Sequence, residues 1–184
     1  MHGLIVNQLR GYVIARLGRT AWVDAIRATG VPLPDGPPPF DTVVADAHVI
    51  ALLDRLAANS AGDRPVLLFD FGVFLAPALM RIYSQMIGPG WRTLDVIEHV
   101  ESHIHTVVRH RNPGASPPYL VAHRHSESEV EVIYTSPLRL CALAEGIVQG
   151  LAGYFGERVV VNHAECMLQG DSQCRLVIRA GVAD

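Results

Sequence analysis

Residues 93–139 read TLDVIEHVESHIHTVVRHRNPGASPPYLVAHRHSESEVEVIYTSPLR, and the hydrophobic period changes midway through the stretch. From Thr93, placed as a helix cap, to about His110, apolar residues recur at helical spacing. Ile97, Val100, Ile104 and Val107 form one stripe. Pro117-Pro118 then forbids helix. Beyond that corner, 119–122 and 130–134 are short and rich in β-formers, with the polar run HRHSESE between them as a hairpin. A chain that turns at one corner from helix to antiparallel strands belongs to the α+β class.

The residues before this stretch read as helices. Leu4, Ile5, Leu9, Val13 and Leu17 mark one face of a first helix that Gly18 stops. Thr20 caps a second, ending at Gly30, and Asp41 is placed to cap a third that runs through Leu56. The run VLLFDFGVFLAPALMRIYSQMIG at 66–88 is long enough for two helical pieces broken near Gly72 or Pro77, and its lack of a polar face implies burial on most sides. After the hairpin, 138–154 returns to helical spacing. Residues 158–162 and 173–178 make a last strand pair around a Gly170-Asp171 turn. The expected architecture is a helical N-terminal subdomain and a C-terminal subdomain with an antiparallel sheet and helices, without internal repeats.

Length and composition exclude several function classes. A chain of 184 residues that is 49% hydrophobic can bury one full core. A net charge of -3 with no basic stripe argues against nucleic acid or an anionic membrane as partner. No signal peptide is expected at the N-terminus, and no stretch is expected to reach the roughly 20 apolar residues of a spanning helix. Three cysteines without export signals suit a reducing compartment, so a soluble cytoplasmic protein is expected. Nucleophile elbow, phosphate loop, HExxH and dinucleotide glycine patterns are all missing, and an enzyme is not expected.

Two constellations carry metal chemistry. His99 and His103 stand four apart, a spacing able to hold one metal, yet they fall on the solvated side of the helix. His105 lies at the border of the apolar stripe, where a histidine reaches a cavity but more often simply packs. Cys141 and the run His163-x2-Cys166-x7-Cys174 supply four soft or borderline ligands, the set a structural zinc takes. The alternative is three buried free thiols and a surface histidine.

These residues resemble the heme nitric oxide/oxygen-binding (H-NOX) domains, gas-sensing modules related to the regulatory domain of soluble guanylate cyclase. The likeness covers nearly the whole chain, from MHGLIVNQL through His105, Pro117-Pro118 and Tyr134-x-Ser136, whose intervals fit those of the family. Glu98 and His99 do not fit them. The resemblance implies the H-NOX fold over 1–184 as one stand-alone sensor domain, with a helical subdomain at about 1–62 and a heme-bearing subdomain at about 63–184. It implies heme b held by His105 as axial ligand, with Pro118 pressing on the porphyrin and Tyr134, Ser136 and Arg139 on the propionates. The family's arginine falls at Leu138, so either Arg139 reaches back through an altered turn at Pro137 or the grip is weaker.

The resemblance further implies a distal wall of Ile5, Leu75, Leu79, Leu143 and Ile147. Members that hold O2 carry a tyrosine at the position of Leu143. An apolar wall therefore implies NO and CO binding at ferrous heme without stable O2. Cys141, His163, Cys166 and Cys174 would hold a structural zinc. The output would be a separate histidine kinase or cyclic-di-GMP enzyme. Two other readings keep the fold: a vinyl-reductase-like (4VR) small-molecule module, which the ending CMLQGDSQCRLVI also resembles, and a heme-free zinc or thiol-redox adaptor.

Overall fold

The computed structural model describes residues 1–39, 42–59 and 63–181. Helices α1 (Gly3–Leu17), α2 (Arg19–Thr29) and α3 (Asp46–Asn59) come first. The His2 ring accepts from the Leu4 amide and caps α1, and Gly18, at φ 87°, separates α1 from α2. Thr20 is not a cap, because α2 already starts at Arg19. Asp41, expected to cap the third helix, lies outside the described residues.

Helix α4 (Arg64–Ile82) is continuous for 19 residues, where two pieces were expected. Gly72 is a packing residue and not a break: a Cβ there would stand 2.5 Å from the Leu143 carbonyl oxygen. Pro77 cannot donate to the Val73 carbonyl, and that carbonyl instead faces Gly150 across the helix crossing. Unbroken, α4 is long and apolar enough to span a membrane by length and composition, contrary to the sequence expectation. Its buried face is that of a core helix, with Phe71, Leu75 and Ala76 almost wholly enclosed. Burial is nonetheless one-sided, since Val66, Val73 and Ile82 are exposed.

Helix α5 (Thr93–Val100) runs through a π-helical turn (Glu101–His105) into α6 (Thr106–Arg111). Arg92, and not Thr93, occupies the cap, in a capping box with Asp95. Thr93 is buried, and its hydroxyl donates to Glu157. Strands β1 (Tyr119–Ser126) and β2 (Glu129–Thr135) make a hairpin much tighter than the HRHSESE run suggested. Helix α7 (Cys141–Phe155), β3 (Val159–Glu165) and β4 (Cys174–Ala180) complete an antiparallel sheet of order β1-β2-β4-β3. Val130, Val132 and Tyr134 pair with Ile178, Leu176 and Cys174 on the covered face.

Two hydrophobic clusters form the core. One joins α1–α3 to Leu67, Phe71 and Leu75 of α4, and the other joins the sheet and α5 to Ala76 and Met80. Helix α7 contributes Leu143 to the first and Val148 and Leu151 to the second. The α4/α7 pair is thus a floor common to both halves of the fold.

Candidate functional site

Between α1, α4, the α5–α6 helix, α7 and the covered sheet face lies a cavity of about 260 Å³. Most of its wall is aliphatic. Two histidines reach it. His2 has both ring nitrogens engaged, Nδ1 by the Leu4 amide and Nε2 by Asn112 Oδ1 at 3.0 Å. His105 keeps one nitrogen for the cavity, because only Nδ1 meets a carboxylate, Glu101 Oε2 at 3.1 Å.

The π-helical turn places both groups. Its i to i+5 hydrogen bond, from the Thr106 amide to the Glu101 carbonyl, widens the helix by one residue just before the ring. Glu101 also takes Arg109 Nη1 at 2.6 Å and the Leu120 amide at 3.3 Å, while Arg109 Nη2 donates to the Pro118 carbonyl at 2.9 Å. Burial alone would raise the Glu101 carboxyl, but its hydrogen bonds to Arg109 and His105 and their charges hold it below the usual carboxylate range. Burial pushes the His105 imidazole down against the pull of Glu101.

Ile5, Leu75, Leu79, Leu143 and Ile147 all line the cavity from α1, α4 and α7. At another part of the wall stand Pro118, Tyr134 and Ser136. Tyr134 is 2% exposed, and burial pushes its phenol up to about 12. The Ser136 hydroxyl accepts from the Leu138 amide at 3.3 Å. Leu138 itself lines the cavity. Arg139 does not: it is exposed, in left-handed backbone at φ 49°, and borders a separate recess with Arg64, Pro65 and Leu168. Leu138 borders that recess as well, but Arg139 does not line the cavity, so its expected reach to the cofactor edge is corrected.

Three lining or supporting residues were missed by the sequence reading. Tyr83 extends the Leu75/Leu79 face of α4 by one turn, but it lies past the point where a break was expected. Glu101 and Arg109 flank His105 at i−4 and i+4, a signal that was present in the sequence.

The cysteines come together without their histidine. The Sγ atoms of Cys141, Cys166 and Cys174 lie within 4.8 Å of one another, and Cys141 and Cys166 are 3.8 Å apart. Two thiolates at about 2.3 Å from one tetrahedral zinc would be about 3.8 Å apart, so the spacing suits such an ion. His163 is not in the cluster. Its cross-strand partner is Leu176, two residues and about 7 Å along β4 from Cys174, and its Nε2 meets Glu145 Oε2 at 2.9 Å. The expected Cys3His set is therefore corrected to three sulfurs. Burial pushes the Cys141 thiol up to about 12 and the Cys174 thiol also up. His99 and His103 are no metal pair either: their rings pack with Trp91 at 4.6 and 5.2 Å.

The cavity fits a flat, mainly apolar group with one metal and a polar edge: a histidine with Nε2 available, apolar walls, and a Tyr/Ser pair. A crystal structure of an H-NOX protein from S. oneidensis in the Fe(II)NO ligation state is similar at TM-score 0.89 and 22% identity, covering 99% of this chain and 100% of that one. The Fe(II) unliganded H-NOX protein from K. algicida matches at 0.88 and 17%, covering 100% and 98%. The I5F mutant structure of T. tengcongensis H-NOX matches at 0.84 and 16%, covering 99% and 98%. No curated protein matches the chain. The haem-NO-binding family model matches residues 2–163, from the cap of α1 through His105 and the Tyr134/Ser136 wall into β3. The chain belongs to the haem-NO-binding, or H-NOX, family.

Proposed function

We propose that this chain is a heme-based gas sensor that binds NO and CO at ferrous heme b and relays the change to a separate signalling protein. The observation that carries the reading is His105: a histidine on the wall of an apolar cavity whose Nδ1 is taken by Glu101 and whose Nε2 is available for a metal. Heme would supply reversible binding of a diatomic gas at iron. His105 would hold it from one side with Pro118 against the same face, and Tyr134 and Ser136 would take its acidic edge. Ile5, Leu75, Leu79, Leu143 and Ile147 offer no hydrogen bond to a polar Fe–O2 unit, which favours NO and CO.

The relay in this reading is a shift of the helical part, about 1–62, against the remainder, and it requires different affinities in the two arrangements. A histidine kinase or cyclic-di-GMP enzyme is the proposed output, and the cytoplasm the proposed location, where three free thiols persist. The thiol cluster is read as three ligands of a structural zinc whose fourth ligand is not His163.

The test is the absorption spectrum of protein produced with ample heme, reduced without air and exposed to NO, beside His105→Ala. A ferrous Soret band that shifts to a five-coordinate nitrosyl form, and is lost or altered in the variant, supports the reading. A colourless protein despite heme supply sinks it in favour of a 4VR-like or thiol-redox module.

A further inference from the structure

Behind His105 lies a set of contacts that the gas-sensor reading does not use. Glu101 Oε2 is 3.1 Å from His105 Nδ1, and a carboxylate can only accept. The neutral ring must therefore carry its proton on Nδ1, which leaves the lone pair on Nε2. Glu101 cannot swing away freely: Arg109 Nη1 holds its other oxygen at 2.6 Å, and the Leu120 amide donates to Oε2 from the start of β1. Arg109 is fixed in turn, with Nη2 on the Pro118 carbonyl and the guanidinium 4.8 Å from the centre of the Tyr119 ring. The Pro118 carbonyl is a further acceptor beside His105.

We propose that Glu101 is a positioning residue for His105: it locks the Nδ1–H tautomer, aims Nε2 at the cavity and, as an anion, makes that nitrogen a stronger donor to bound heme iron. Arg109 holds the carboxylate in place and tempers its charge. This rests on the reading of His105 as the axial ligand. A carboxylate hydrogen-bonded to the far nitrogen of a metal-bound histidine raises the basicity of the near one. The charge on Glu101 should then set the strength of the iron–histidine bond, and the salt bridge to Arg109 should set how much of that charge His105 feels.

Two measurements test it on the full chain. Nitrogen NMR of the heme-free protein reads the His105 tautomer, and resonance Raman of the heme-loaded, reduced, ligand-free protein reads the iron–histidine stretch. Glu101→Gln keeps an acceptor of the same shape without the charge: the Nδ1–H tautomer persists, the stretch moves to lower frequency and the midpoint potential rises. Glu101→Leu leaves the uncharged Pro118 carbonyl as the acceptor beside His105, and the stretch moves to lower frequency as in Glu101→Gln. Arg109→Gln releases the charge, and the stretch moves up.

Opposite shifts in Glu101→Gln and Arg109→Gln separate this role from general loosening, and that pair decides even if Glu101→Leu fails to fold. An unchanged stretch and potential in Glu101→Gln, with the band lost in His105→Ala, overturns the proposal and leaves His105 as ligand. If His105→Ala keeps the axial-ligand signature, the gas-sensor site itself is wrong and the proposal falls with it.

Discussion

Leu138 lines both the main cavity and the separate recess beside Leu168, whereas its chain neighbour Arg139 lines that recess and not the cavity. An acidic cofactor edge near Tyr134 and Ser136 therefore has no guanidinium from Arg139. Leu138→Arg should slow heme loss to a scavenging apoglobin about tenfold, equal to about 1.4 kcal/mol. Arg139→Ala should change that rate less than about twofold.

The second prediction concerns gas selection. Leu143 is 8% exposed and faces the cavity, so a tyrosine there extends into the cavity and not into the packed core. The reduced parent protein should show no persistent oxy spectrum in air. Leu143→Tyr should show one, through a hydrogen bond to bound O2. A stable oxy form in the parent would refute the apolar-wall argument.

Packing between α4 and α7 gives a stability prediction. A Cβ on Gly146 would collide with the Phe69 backbone, whereas one on Gly153 of the same helix meets nothing within 4 Å. Gly146→Ala should cost about 3 kcal/mol or prevent folding, since fixed backbone cannot yield. Gly153→Ala should add about 0.5–1 kcal/mol by removing chain entropy from the unfolded state. Urea denaturation midpoints measure both.

The thiol cluster supplies the fourth. His163→Ala should leave bound zinc unchanged and cost about 0.5 kcal/mol, the value of its partly exposed pair with Glu145. Cys174→Ser should lower zinc content. Without metal, the folded Cys141 thiol and Tyr134 phenol each sit up near pH 12, above their ordinary values of 9.0 and 10.0. The unfolded chain gives up these protons first. Their contribution to stability is thus complete below about pH 9 and is lost as pH climbs towards 12. Melting curves of chelator-treated protein from pH 7 to 11 should fall, with a gentler fall in Cys141→Ser.

Much of this was legible in the sequence because the decisive signals are local. The change of period at Pro117-Pro118 separates helix from strand, and the sheet of four antiparallel strands follows from it. The intervals from His105 to Pro118 and Tyr134 are reproduced as one cavity wall. What failed depended on the third dimension. Gly72 and Pro77 look like breakers in one dimension, but in space Gly72 is where the backbone of α7 packs directly against α4. His163 has zinc-site spacing, yet the strand register carries it a residue pair away from the thiols and hands it to Glu145. Arg139 was one residue from a motif position, and at a turn that offset is enough to leave it outside the cavity that Leu138 lines.

The π-helical turn at Glu101–His105 has a consequence for insertions and deletions. It amounts to one residue more than a regular helix would use over the same rise. Deleting one of residues 102–104 would let the turn relax into regular helix with the residues after it still in phase with Leu94 and Ile97, whereas deleting one residue from the regular helix of α5 would turn everything after it by about 100°. In that second case His105 would leave the cavity with every other side chain of α5–α6 still chemically intact. The direction in which this histidine looks is stored in a residue count, and the π-helical turn is where that count can fall by one without changing it.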